Sequence, residues 1–288
     1  MIITSTGLSY KDINGISPEA SASLPELRVA VLNIMPDKVR TEKDIFAALP
    51  ANEFDIHLDF IALETHTPSE KSAEHISKYY IPFSRIKENR YDALIITGAP
   101  LEMYPYSDVR YFSEFLDIVR WGTEGGASAR MYICWAAFAL LYSRYGIEKL
   151  FLPKKQSGVY PHYLSVPHPV MKDIDSSFSV PHSRNIHIDT KSVHSVPELN
   201  ILAQSDVAGP HVLYDSRYND FLVLGHWEYA PDTLDMEFNR DLTKGLNPEI
   251  PENYYISDNP AAGYSAPWVL PGKTFFRNFC HLALNEKK

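Results

Sequence analysis

Cysteine is nearly absent from this chain: Cys134 and Cys280 are the only two among 288 residues. Two thiols make no disulfide framework, which excludes a disulfide-stapled secreted scaffold and favours free thiols in a cytoplasmic protein. Nothing approaches the roughly 20 consecutive apolar residues of a membrane-spanning helix. The segment Met1–Tyr10 has no basic stretch running into an apolar one, so no secretory signal is expected. Basic residues are also scarce, 27 Lys and Arg against 36 Asp and Glu, a net charge of −9. That balance argues against non-specific binding to nucleic acid or anionic membranes. Internal repeats, low-complexity tracts and an interdomain linker are all missing. The histidines His162, His168, His182, His187 and His194 lack metal-ligand spacing, and no His-Glu-x-x-His helix accompanies them, so no metal site is expected.

What remains is an ordinary globular composition, 45% apolar and 22% charged. Residues 1–27 carry no clear period and read as an N-terminal arm. From residue 28 onward, apolar strand patterns alternate with helical ones: strands at Arg28–Ile34, Phe54–Ile61, Tyr91–Ile96 and Arg130–Ile133, helices from Thr41 and over Val109–Trp121. Such alternation predicts a largely parallel sheet covered by helices on both faces, in one α/β domain over 28–288. Between Leu150 and Leu224 shorter segments rich in Pro, Ser and His predict a more antiparallel region. Helices follow over Thr233–Leu246 and Lys273–Leu284, separated by a loop-rich stretch from Pro248 to Gly272.

Two short pieces carry the chemistry. Cys134 stands between the strand pattern Arg130–Ile133 and the apolar helix pattern Ala136–Leu141. A thiol at such a turn lies at a helix N-terminus, where the dipole and free N–H groups favour a thiolate. His226 and Glu228 follow the strand pattern Phe221–Leu224. In extended backbone, side chains two apart point the same way, so Glu228 is expected to orient His226. Nucleophile, base and orienting carboxylate are the parts of a cysteine acyl-transfer site. Thr97–Pro100, Cys134 and His226 all come directly after strands, where parallel sheets gather ligands. Cys280 reads as a small buried hydrophobe.

Seven pieces in order, Leu32–Pro36, Thr97–Pro100, Cys134–Ala136, Ser157–Tyr160, Pro181–Arg184, Gly225–Tyr229 and Phe238–Asp241, resemble the homoserine transsuccinylase (homoserine O-acyltransferase) family. The resemblance spans roughly residues 28–284. It implies a three-layer, flavodoxin-like fold related to class I glutamine amidotransferases. It implies acyl transfer from an acyl-CoA co-substrate to the side-chain hydroxyl of a small amino acid, with no tightly bound cofactor, in a homodimer. Cys134 would carry the acyl group, His226 would act as base and Glu228 would orient it. The oxyanion would be met by N–H groups at Trp135 and Ala99. Arg240 matches the position that holds the acceptor's α-carboxylate, and Ser183 matches a substrate-binding position. Lys38 and Lys155 match positions near the acyl donor, a surface lysine being the alternative for Lys38.

Glu102 bears on the donor: the resemblance implies that glutamate there selects acetyl and glycine permits succinyl. A carboxylate in the acyl pocket would fill it and repel succinyl's own. Acetyl-CoA is therefore the expected donor. Departures from the family pattern bear on the acceptor: Ser69–Ser72 precede Ala73–His75, Trp227 separates base from orienter, and Ala230 stands where aspartate is usual. A pocket narrowed by Trp227 or the altered loop would suit L-serine, since one methylene is worth only about 1–3 kcal/mol. L-homoserine is otherwise preferred. The alternatives are a succinyl-CoA-dependent transferase and a glutamine amidotransferase-like hydrolase.

Overall fold

The computed structural model describes residues 2–7 and 24–285. Among the described residues, eleven strands form one mixed sheet. In chain order they are β1 (Ile2–Thr4), β2 (Glu26–Leu32), β3 (Asp55–Ala62), β4 (Tyr80–Pro82), β5 (Tyr91–Ile96), β6 (Ala127–Ile133), β7 (Leu150–Leu164), β8 (Ser177–His187), β9 (Leu199–Ser205), β10 (Gly209–Asp215) and β11 (Asp220–Val223). Their spatial order is β1-β3-β2-β5-β6-β11-β10-β9-β7-β8, with β4 also on β3. Pairing is parallel from β1 through β11 and antiparallel from there to β8. The helices are α1 (Lys38–Ala48), α2 (Glu70–Tyr79), α3 (Phe83–Ile86), α4 (Phe112–Trp121), α5 (Trp135–Tyr145), α6 (Thr190–His194), α7 (Thr233–Thr243) and α8 (Val269–Asn285).

The central strands are apolar nearly throughout because both sheet faces are covered. Along β2, Leu27, Val29 and Val31 join a core with Phe46 of α1 and Phe275 and Phe279 of α8. The alternate residues Ala30 and Leu32 join a second core with Phe115 of α4 and the buried run Trp135–Leu141 of α5. The period of two therefore sorts each strand between two helical layers.

Several boundaries depart from expectation. Residues 1–27 are not simply an arm: Ile2–Thr4 pair in parallel with Ile56–Leu58 at the sheet edge, and Ile2 is buried. A partner some fifty residues away leaves no local signature. Residues 8–23 of that expected arm lie outside the described residues. The last helix begins at Val269, four residues before the expected start, because Trp268 and Gly272 are drawn against the His226 turn.

Register decides where the site can form. Ile96 pairs with Tyr132 and Ile133 with Val223, so β5, β6 and β11 end at nearly the same level. The segments that follow them, Thr97–Pro100, Cys134 and Gly225–Tyr229, therefore emerge side by side at the C-terminal edge. At β7, Gly158 has φ +150° and a Cβ there would lie 2.4 Å from the Glu252 carbonyl oxygen. Only glycine lets the 248–252 loop close onto the sheet, through Val159 N–H to Glu252 O and Glu252 N–H to Ser157 O. That loop walls one side of the cleft.

Candidate active site

Cys134 is the single residue between β6 and α5, with φ 49° and ψ −116°. A positive φ on a non-glycine residue costs on the order of 1–3 kcal/mol and persists only where surroundings enforce it. Here Cys134 N–H donates to Val223 O at 2.7 Å, and its own carbonyl accepts from Phe138 N–H at 3.1 Å. Gly98 backs it so closely that a Cβ there would sit 3.2 Å from Cys134 Cβ and 3.8 Å from Sγ. The turn thus lifts the thiol to the floor of a cleft of about 550 Å³.

His226 is held by its main chain, whose N–H donates to Pro181 O at 2.9 Å. Its Nδ1 lies 2.7 Å from Glu228 Oε1, with both side chains buried. The backbone here is a turn closed by Tyr229 N–H to His226 O, not the extended segment expected from the sequence. The turn still lets the i+2 carboxylate fold back onto the ring. Burial alone would favour neutral imidazole, but the Glu228 carboxylate and the hydrogen-bonded Cys134 sulfur outweigh it and hold His226 well above the usual histidine value. With Nδ1 committed to Glu228, Nε2 is the nitrogen left for the sulfur. Tyr229 stacks on the imidazole at 4.2 Å between ring centroids.

Trp227, the bulky residue between them, turns away from the cleft into the core against His211, Phe178 and Phe275. It does not line the cleft, and neither do Ser69, Glu70 and Ser72 at the start of α2.

Of the other expected residues, Glu102, Ala99, Lys155, Ser183 and Arg240 line the same cleft as Cys134 and His226. Trp135 is the first residue of α5, next to Cys134, and is not among the residues lining the cleft; its indole is buried among Tyr106, Tyr111, Phe112 and Phe115. Arg240 is steadied by Asp241, which its Nε and Nη2 both reach at 2.8 Å. Lys38 does not line the cleft. Its ammonium donates to Asn33 O at 2.7 Å and faces a separate hollow beside His66 and Tyr80. Burial lowers its pKa to about 8 against the opposing pull of Glu42. Cys280 is buried, and burial pushes its thiol up.

Glu237, Asn185 and Asp241 also line the cleft and were given no role from the sequence. Glu237 accepts from Ser183 Oγ and from Tyr229 OH at 3.0 Å, with Lys155 Nζ 3.8 Å away. Asn185 binds Glu102. Asp241 anchors Arg240. The signal for two of them was present: Glu237, Arg240 and Asp241 stand at i, i+3 and i+4, one face of α7. Asn185 had none, since the partner that makes it matter lies 83 residues away.

The cleft therefore offers a thiol with an imidazole–carboxylate pair, one buried carboxylate at Glu102, and a second group of opposite charges around Arg240, Lys155 and Glu237. His162, His182 and His211 pack ring against ring, with centroids 5.1, 5.2 and 6.0 Å apart; His162 Nδ1 bonds Tyr160 O, His182 Nε2 meets His162 Nε2 at 3.2 Å, and His211 Nδ1 accepts from Gly225 N–H.

A profile described as homoserine O-succinyltransferase matches residues 5–287. A homoserine O-acetyltransferase of Bacteroides fragilis is 39% identical over 254 residues, 88% of this chain and 83% of that one. A homoserine O-succinyltransferase of Shewanella frigidimarina is 35% identical, over 90% of this chain and 83% of that one. Among solved structures, a glutamine amidotransferase from Thermotoga maritima superposes with a TM-score of 0.53 at 11% identity, covering 92% of this chain and 98% of that one. At that identity the likeness is one of fold.

Proposed function

From a chain that belongs to the homoserine O-succinyltransferase family and is thereby an acyltransferase, we propose an acetyl-CoA:L-homoserine O-acetyltransferase working through an acetyl-cysteine. The observation that carries the reading is the His226–Glu228 pair set against Cys134 on its strained turn, in a cleft with charges of both signs beside it.

In the first half-reaction the Cys134 sulfur attacks the thioester carbonyl of acetyl-CoA. The N–H groups of Trp135 and Ala99 meet the developing oxyanion, and His226 supplies the proton that leaves with the CoA thiol. One thioester replaces another, so the step is close to thermoneutral. In the second, the acceptor hydroxyl attacks the enzyme thioester, gives its proton to His226 and expels the Cys134 sulfur. Part of what raises His226 is its interaction with the Cys134 sulfur beside it. Acylation removes that interaction, so the imidazole is more readily neutral when a base is needed.

The acceptor's α-carboxylate suits the Arg240 fork with Lys155, and its ammonium suits Glu237, whose oxygens already collect Ser183 and Tyr229. Glu102 supports acetyl as donor, because its carboxylate stands in the same cleft as the thiol. Homoserine is preferred over serine because Trp227, the bulky residue beside the base, packs into the core and takes no space from the cleft. A free-thiol release assay crossing acetyl-CoA and succinyl-CoA with homoserine and serine tests the reading, joined by mass spectrometry after donor alone. The expected result is one added acetyl group on the peptide containing Cys134 and turnover with acetyl-CoA and homoserine. Glutamine hydrolysis without any acyl transfer would overturn it.

A further inference from the structure

Glu102 is held more completely than a pocket-blocking side chain requires. The residue is 7% exposed, and its carboxylate Oε2 accepts two hydrogen bonds from one residue, the Asn185 main-chain N–H and the Asn185 Nδ2, both at 2.8 Å. Its carbonyl accepts from Lys149 Nζ at 2.7 Å, so the main chain is anchored separately. Asn185 lies two residues after Ser183 on β8, and the pleat turns both toward the cleft, Ser183 to Glu237 and Asn185 to Glu102. Between them Arg184 is buried, its guanidinium bonding Gln156 Oε1 and the carbonyls of Leu224 and Ala208. Burial lowers its pKa to about 10, and its interactions with Cys134 and Glu102 act against that lowering. The acyl end of the cleft thus faces two aimed N–H donors with a cation behind them. That is the donor set of a carboxylate receptor.

We propose that Asn185 forms a binding site for the distal carboxylate of a dicarboxylic acyl donor, and that in this chain Glu102 fills it from within. The proposal rests on the reading of Glu102 as the wall of the acyl pocket. The two carboxylates compete for the same donors: while Glu102 is bound, a succinyl chain meets an occupied, negatively charged site, and acetyl, which has no distal group, is unaffected by the competition. Removing the Glu102 side chain both opens space and releases the Asn185 donors. Donor choice then depends on two residues whose effects are coupled rather than additive.

The test is a two-by-two set of chains: the unaltered protein, Glu102→Gly, Asn185→Ala and the double variant. Each is assayed for kcat/KM with acetyl-CoA, succinyl-CoA and butyryl-CoA. Butyryl has the same number of carbons as succinyl without its charge, so it reports space alone. Ratios between donors on one protein are insensitive to how much of a variant folds. Glu102→Gly is expected to gain both four-carbon donors, with succinyl favoured over butyryl. Adding Asn185→Ala should lower the succinyl-to-butyryl ratio about tenfold, the usual effect of losing one hydrogen bond to a charged group. Asn185→Ser in the Glu102→Gly chain, which keeps a donor, should restore part of it. A ratio that moves less than about twofold in the double variant overturns the Asn185 site while leaving Glu102 as the wall. If Glu102→Gly gains neither four-carbon donor, the pocket-wall reading fails and this proposal with it.

Discussion

Glu228→Gln is the most direct probe of the proposed chemistry. The two charges it separates are buried, and the Nδ1–Oε1 contact is 2.7 Å. Charge centres roughly 4 Å apart in an effective dielectric near 20 attract by about 4 kcal/mol. Loss of that much transition-state stabilisation is on the order of 10³ in rate. The amide does further harm, because an NH2 group facing Nδ1 makes that nitrogen the acceptor and points a proton from Nε2 at the sulfur. We expect kcat/KM to fall by about 10²–10³ with little change in the melting transition. The pH dependence carries a second signature. His226 stands well above the usual histidine value because Glu228 and Cys134 overcome burial. With Glu228 neutralised the burial effect gains, so the imidazole stays unprotonated to lower pH. The acid limb of acetyl transfer from enzyme to acceptor should therefore move down while its plateau drops. The assay is decay of preformed acetyl-enzyme with added homoserine across about pH 5–9. A variant within about tenfold of the unaltered rate, or an acid limb that moves upward, refutes Glu228 as the orienting carboxylate.

Three further outcomes follow from the geometry. Arg240→Lys keeps the charge but loses the fork braced by Asp241, so the acceptor KM should rise about tenfold with the donor KM little altered; an effect confined to the donor would contradict the acceptor-binding role proposed for it. Gly225→Ala puts a Cβ 2.6 Å from Val180 Cγ1 and 2.9 Å from both His182 Cε1 and His211 Nδ1. Urea unfolding should register a loss of about 1–3 kcal/mol, and a loss below about 0.5 kcal/mol would mean that the cluster yields freely. Acid sensitivity should trace to the buried imidazoles, with His162 lowered by burial to about 4 and His182 and His211 held well below 6.5. Their neutral forms belong to the folded state, so the unfolded chain takes up protons first and stability is lost as pH falls from about 6.5 toward 4, about 3 kcal/mol for His162 alone. Asp44, raised by burial to about 7, works in the opposite direction. The readout is therefore the stability difference between the unaltered chain and His162→Gln, which should shrink on acidification; a constant difference sinks the attribution.

The alternating strands and helices were legible because they depend on local periods. Tyr91–Ile96 begins and ends where its apolar run does, and Cys134 stands at the strand-to-helix turn that its flanks imply. The cleft residues drawn from the ordered motifs were legible in a different way, through resemblance rather than through any period. Glu228 was anticipated with the wrong backbone, since the turn at His226 depends on buttressing by Trp268, whose Nε1 donates to Tyr229 O at 2.8 Å. Lys38 was expected near the donor, but the carbonyl of Asn33 and the nearby Glu42 draw its ammonium to the other side of the loop.

The chain alone determined that a two-faced sheet would form and that a cysteine would stand at the end of one of its strands, because burial pattern and helix-initiating turn are properties of neighbouring residues. Tertiary structure decided which groups share the cleft with that cysteine. Strand register brought Ile96, Ile133 and Val223 to one level, and only then did Asn185 meet Glu102 and Glu237 meet Ser183. Contacts between distant segments are set by how the layers pack, and no period along the chain encodes them.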